Sequence, residues 1–366
     1  MQRKYEVGLM IFALLAHEDE HTLAAQLDNI RHFNPGSRIV LYNGGTDPDF
    51  ARRFELPICP YSRPLNHGNL TFYMWDVMRW LEEEHVDYEY LINLDHDLLF
   101  VKHGFQAFLN ETMGKYDCMG WDMVTSRSSE DSELTCVQTM WDEWHLWKPV
   151  FQTDHFIRFL NPAQVYRHQL VRCMLASVDR VKMERMFSET RVFALEEMFF
   201  VTLALSCGGK IREYPRDETW HKVARFQWPG ISHEEAYHAR DHPYYFWVHP
   251  VKGIALFQMH QWLMSGASFP QEALSTPEEP AAKPQAASSE VQRYVRRRNH
   301  KAKRNTKVKR KPVVKKKKIS LKRTGLRGSR RRSKPLLYGK MKSAKSIRGR
   351  LKGAKGRGAK KHKTSG

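Results

Sequence analysis

The chain has 366 residues, 41% of them hydrophobic, enough for a sizeable core in one large domain or two smaller ones. Its net charge of +20 is unevenly carried: residues 291–366 hold 33 Lys and Arg and no Asp or Glu, which leaves 27 basic and 40 acidic residues, a net of −13, in residues 1–290. This excludes the globule, though not the C-terminal segment, as a nucleic-acid contact.

The N-terminus, MQRKYEVGLMIFALLAHEDE, sets Arg3 and Lys4 before an apolar run. That run is too short to span a membrane, and it ends in His-Glu-Asp-Glu rather than a small-residue cleavage site. It reads as a first buried strand over residues 7–16, and no transmembrane segment is expected. Leu23, Leu27 and Ile30 follow at helical spacing until Asn34-Pro35-Gly36 stops them. RIVLYNGG is a second strand ending in a turn. From NHGNL onward, Leu70, Tyr73, Met74, Val77, Met78 and Leu81 recur at three and four, which predicts a helix. YEYLINLDHDLLFV is a further strand, with Asp95 and Asp97 at its C-terminal edge.

Residues 120–190 are rich in tryptophan (Trp121, Trp141, Trp144, Trp147) and predict a helical stretch over 162–187. LEEMFFVTLALSCGGKI reads as a helix ended by Gly208-Gly209, then a short strand. HPVKG precedes a last amphipathic turn. Residues 269–290 form a Pro/Ala/Ser-rich linker, and 291–366 a Lys/Arg-rich tail that cannot bury enough apolar surface to fold alone. The expected division is a globular domain over 1–268, the linker, and a disordered tail.

Strands alternating with helices imply an α/β fold, a mostly parallel sheet flanked by helices. Such sheets bind ligands outside the carboxyl ends of their strands. Ala16-His17, Asn43-Gly44 and Asp95-Asp97 all fall at such ends, so three segments converge on one rim. Five cysteines without a C-x-x-C pair predict free thiols in a reducing cytoplasm.

Paired carboxylates at that rim suit a hard divalent cation with positions left open for phosphate oxygens. The alternative is a surface turn with both aspartates solvated or capping the next element. A second D-x-D, Asp47-Pro48-Asp49, reads as turn chemistry. His17–His21, HEDEH, matches the H-E-x-x-H pattern of zinc peptidases, but it straddles a strand end and a helix start. The plainer readings are that Asp19 or Glu20 favours a helix N-terminus, or that His17 lines a nucleotide pocket.

The order β-α-β, then NHGNLTFYMWDVMRWL, then a strand ending in acids, resembles a GT-A glycosyltransferase. Within it, LEEMFFVTLALS resembles the DE-x-x-F/W-x-T-L stretch of the core-2/I-branching β-1,6-N-acetylglucosaminyltransferases, and HGNLTFYMW their WGG-x-S segment. The resemblance covers about residues 5–260 and implies a GT-A-like, Rossmann-like fold. It implies a nucleotide-sugar donor, expected to be UDP-linked, and transfer with inversion to the hydroxyl of a glycan or other acceptor. It places the catalytic base on Glu197. That family generally lacks D-x-D and works without metal; Asp95-His96-Asp97 departs from it, and the expectation here is a divalent cation, Mn2+ or Mg2+.

GT-A enzymes often use a late histidine as a further metal ligand, which in WVHPVKG implies His249, with Lys252 meeting the diphosphate. Asn43, His17 and the Asn66-His67-Gly68 turn are nucleoside-contact candidates by position. Each has a plain counterpart: His249 as a core histidine, Lys252 solvated, Glu196-Glu197 as an exposed first turn. One or two of the tryptophans are expected to line an acceptor groove. The rival classes are a nucleic-acid or anionic-polymer binding protein whose tail is the functional part, and the peptidase.

A tail of one charge sign binds phosphate-rich polymers by counterion release, with little sequence preference. Nucleic acid, a wall polymer or a spore-surface layer all satisfy it. Deleting residues 291–366 is expected to abolish retention on heparin and to leave kcat for a small soluble acceptor unchanged in moderate salt. Loss of catalysis on small acceptors would make the tail part of the site.

Overall fold

The computed structural model describes residues 9–266 except Glu18, Gln227 and Trp228; the linker and the basic tail lie outside the described residues. In chain order the elements are β1 (Met10–Ala16), α1 (Glu20–Phe33), β2 (Arg38–Asn43), α2 (Thr71–Glu83), β3 (Tyr90–Asp95), β4 (Leu99–Phe100) and α3 (Phe105–Thr112). Next come β5 (Cys118–Ser126), α4 (Thr135–Asp142), α5 (Trp144–Phe151), β6 (Phe156–Arg167), α6 (His168–Ser177) and α7 (Arg180–Glu189). The last are α8 (Glu196–Ser206), β7 (Ile211–Glu213), α9 (His233–Asp241), β8 (Trp247–Val248) and α10 (Ile254–Ser265).

Six strands form one sheet in the order β2-β1-β3-β6-β5-β7, and β4 pairs with β8 in a separate ribbon. β1, β2 and β3 are mutually parallel, and β7 is parallel to β5. β6 runs antiparallel to both of its neighbours, β3 and β5. Five strands therefore share one direction, and the mostly parallel α/β sheet expected from the sequence is observed with one reversed strand.

Helices cover both faces. Ile11, Ala13 and Leu15 of β1 enter one core with residues of α2, α5 and α8, while Phe12 and Leu14 enter the other with residues of α1, α3 and α10. A strand covered on both faces has no polar side to show, which is why β1 reads as an unbroken apolar run. α1 begins where Asp19 accepts from the backbone N–H groups of His21 and Thr22, both at 2.9 Å. HEDEH is thus a strand end followed by a helix cap, and the two histidines do not share a helix. Asp47 Oδ1 accepts from Asp49 N at 2.9 Å, so the second D-x-D is a turn. α8 ends at Ser206, with Gly208 in the left-handed region (φ +75°) just beyond it, and β7 follows as expected.

The predicted helix over 162–187 is corrected. β6 continues to Arg167, and two helices follow, broken where Asp179 caps α7 by accepting from Lys182 N at 2.7 Å. Nearly all of β6 is buried, so its sequence carries no alternation to separate it from a buried helix. The tryptophans are mostly core. Trp121, Trp144 and Trp147 are buried, and Trp141 gives its indole N–H to Ser126 Oγ at 2.8 Å.

Phe199 lies at the centre of the second core, with ring centroids 4.9 Å from Phe187, 5.9 Å from Trp147 and 6.3 Å from Trp75. Phe199→Ala is expected to cost about 3–5 kcal/mol, read as a shift in the urea midpoint. Leu146→Ala, at a half-exposed position, is expected to change stability by less than about 0.5 kcal/mol.

Candidate active site

β3 delivers Asp95 and Asp97 to the carboxyl rim of the sheet, where Leu15 of β1 lies opposite Asp95 and Ala16 opposite Asn43. The turn after β3 is held from below by α1. Gln26 Nε2 donates to Asp95 O at 2.7 Å and to Leu98 O at 3.2 Å. Asn29 donates to Phe100 O at 2.9 Å and accepts from Phe100 N at 2.7 Å. From the far end of the chain, Val251 N donates to Asp97 O at 2.8 Å.

That last contact brings His249 and Lys252 onto the aspartates. His249 Nε2 lies 3.1 Å from Asp97 Oδ1 and 3.7 Å from Asp95 Oδ2, and Lys252 Nζ lies 3.3 Å from Asp97 Oδ2. One ligand atom from each of Asp95, Asp97 and His249 falls within 4.8 Å of the other two. His249 Nδ1 donates to Arg225 O at 2.9 Å, which leaves the Nε2 lone pair facing the carboxylates when the ring is neutral. Asn161 Nδ2 donates to both oxygens of Asp95, at 3.1 and 3.2 Å. Two carboxylates and one oriented imidazole fit a divalent cation.

Without a cation, the three groups compensate one another. Burial pushes Asp95 up, offset in part by His249. Burial also raises Asp97, but His249, through charge and hydrogen bond, together with His96 and Lys252, outweighs it and holds this carboxyl well below the usual range. Burial lowers His249, yet Asp97 and then Asp95 bring it above the ordinary histidine value.

His17 is exposed beyond β1, its ring 4.6 Å from that of His96. The Asn43 amide serves its own turn: Oδ1 accepts from Gly45 N at 2.9 Å and Nδ2 donates to Asp47 O at 2.6 Å. Gly68, φ +71°, lies so close to Phe193 that a Cβ would come within 2.0 Å of its ring, and its carbonyl accepts from Ala194 N at 2.9 Å. The Asn66–Gly68 turn is thereby docked against the start of α8.

The two acids opening α8 part company. Glu196 turns to the start of α2 and accepts from Leu70 N at 3.1 Å and Thr71 Oγ1 at 3.4 Å. Glu197 accepts from the buried Arg158, Nε to Oε2 at 2.7 Å, and the same guanidinium reaches Asp122 Oδ2 at 2.9 Å. Both acids are buried, which corrects the plain reading of an exposed first turn. Burial pushes Glu196 up to about 7; it also raises Glu197, with Arg158 offsetting part of the effect. Asp122, Arg158 and Asn161 escaped the sequence reading. The one signal was Arg158 and Asn161 standing within an otherwise apolar run.

No family pattern matches the sequence, and no characterised protein sequence is similar to it. Among solved structures, the chain is similar to the galactosyltransferase LgtC in complex with donor and acceptor sugar analogs, at 11% identity and TM-score 0.37, over 72% of this chain and 98% of that one. It is similar to S. aureus TarS at 14% identity and TM-score 0.33, over 56% and 34%, and to the bifunctional IspDF from Campylobacter jejuni at 15% and 0.30, over 57% and 50%.

The raised Glu196 predicts a pH dependence. The native state binds this proton more tightly than the unfolded chain, whose value is near 4.5. The stability it contributes is present below that value and is lost as pH rises through about 7. Glu196→Gln removes the titration, so its melting temperature is expected to rise relative to wild type between pH 5 and pH 8. A difference that stays constant across that range would show that Glu196 is not shifted.

Proposed function

We propose that the chain is a glycosyltransferase that moves a hexosyl or N-acetylhexosaminyl group from a UDP-linked donor to an acceptor hydroxyl. The observation that carries this reading is the Asp95, Asp97 and His249 cluster at the carboxyl rim of a mostly parallel sheet. Asp95, Asp97 and His249 would hold a divalent cation, which would supply charge stabilisation to a departing diphosphate. Lys252, half-exposed and beside Asp97, places a point charge where a phosphate oxygen would lie. His17, with the Asn66–Gly68 turn, borders the donor side of the rim.

Glu197 is the base in this proposal. Arg158 fixes its carboxyl group, and burial gives it more proton affinity than a solvated glutamate, which suits proton transfer from an acceptor hydroxyl near neutral pH. A base facing the anomeric carbon across from the leaving group gives inversion. The described residues contain no helix long and apolar enough to cross a membrane. The five cysteines are free thiols, which agrees with a cytoplasmic setting. The basic tail is proposed as a tether to an anionic polymer, with residues 1–268 as the catalytic domain.

A panel of nucleotide sugars with and without Mn2+ tests the reading by nucleoside diphosphate release. Asp97→Asn is expected to abolish metal-dependent turnover with the fold intact. Glu197→Gln is expected to lower transfer by about 10²–10⁴-fold while donor binding persists. Full activity of Asp97→Asn after EDTA treatment would overturn the metal role, and equal losses in Glu196→Gln and Glu197→Gln would overturn the single base.

A further inference from the structure

Beside the cluster lies a cavity of about 490 Å³, within the rough 300–1,000 Å³ span of small-molecule pockets. Its lining includes Asp122, Leu160, Trp220, Ala224, Arg225 and Glu235. Two of these are continuous with His249 of the cluster: Ala224 pairs with it, and the Arg225 carbonyl accepts from its ring. Leu160 precedes Asn161, which holds Asp95.

Asp122 has an unusual backbone. Its φ is +51°, in the left-handed region, inside β5 and within the register shift between Trp121 and Val124 that interrupts pairing with β6. A bulge re-aims a side chain, and a strained non-glycine residue persists only where its surroundings hold it. Here the holding groups are Arg158 Nη1, 2.9 Å from Oδ2, and Arg216 Nη1, 3.4 Å from Oδ1. Arg158 is almost fully buried and already paired with Glu197, so a second counter-ion is not needed to justify its burial. Of the two carboxylates gripped by Arg158, Asp122 is the one that lines the cavity.

We propose that Asp122 is a substrate-recognition residue that accepts hydrogen bonds from the hydroxyls of a neutral sugar ring seated in this cavity. The inference rests on the glycosyltransferase reading and names how that site selects its acceptor. Each carboxylate oxygen has two lone-pair sites, and the arginines use one on each, so two acceptor sites remain. Around the cavity three guanidiniums, Arg158, Arg216 and Arg225, meet four carboxylates, Asp122, Glu197, Glu213 and Glu235. The one negative charge in excess disfavours an anionic ligand, whereas a neutral polyol needs only directional acceptors. Trp220, partly buried in the lining, supplies apolar surface for the C–H face of a ring.

The test is equilibrium binding to the full chain, using the methyl β-glycosides of glucose, galactose and N-acetylglucosamine as probes, with and without UDP and Mn2+. Asp122→Asn tolerates the left-handed backbone and keeps an oxygen for Arg158. The expected result is that at least one glycoside binds wild type and that its Kd rises about tenfold or more in Asp122→Asn, the scale of one lost hydrogen bond to a charged group. The melting temperature and the UDP Kd should stay near wild type. Equal binding by both proteins overturns the proposal, as does the absence of glycoside binding by wild type in either condition. Glycoside binding that is lost in the variant, in a protein that never binds UDP, upholds Asp122 and overturns the nucleotide-sugar reading instead.

Discussion

Two carboxylates one residue apart, carried to the end of a buried strand, are the constraint on which the rest of the molecule depends. Burying one charge is costly, and burying two of the same sign costs more unless counter-charges and donors meet them. At Asp95 and Asp97 those groups come from three remote parts of the chain. Asn161 arrives on the reversed strand β6, while His249 and Lys252 arrive on the segment after β8. Gln26 and Asn29, buried on α1, fix the backbone of the turn itself. Moving any of these elements would leave charge buried without compensation, so the fold and the site are one requirement.

The same logic runs at a second centre one strand further along. Arg158, nearly inaccessible to water, is matched by Glu197 from α8 and Asp122 from the bulge of β5. This ties the sheet to the helix that opens with two acids. Neighbours along a helix are turned from each other by about 100°. Glu196 and Glu197 therefore serve different partners, the first capping α2 and the second meeting Arg158. Burial raises the proton affinity of both, and at Glu197 Arg158 offsets part of the effect.

What was legible in the sequence followed from local rules. Strand ends at His17, Asn43 and Asp95 could be aligned because parallel strands joined by helices bring their carboxyl ends together, and Asp19 could be read as a cap because its partners lie two and three residues on. Asp122 was illegible because its importance lies in a backbone angle, and Asn161 because its partner is 66 residues away. β6 was misjudged for a related reason: a strand buried on both faces lacks the period that identifies strands. Asn43 and Gly68 lie where position suggested, but the amide of one serves its own turn and the other yields space to Phe193.

The two centres are compensated by separate cations, His249 and Lys252 at the aspartates, Arg158 and Arg216 at Glu197 and Asp122. Among the described residues no ion pair bridges them, but the charge of Asp95 still reaches Glu197 and adds to its proton affinity. Asn161, neutral, is next to Leu160 in the cavity wall, and Arg225 reaches His249 only through its backbone carbonyl. Neutral links thus join two charged centres whose ion pairs stay separate.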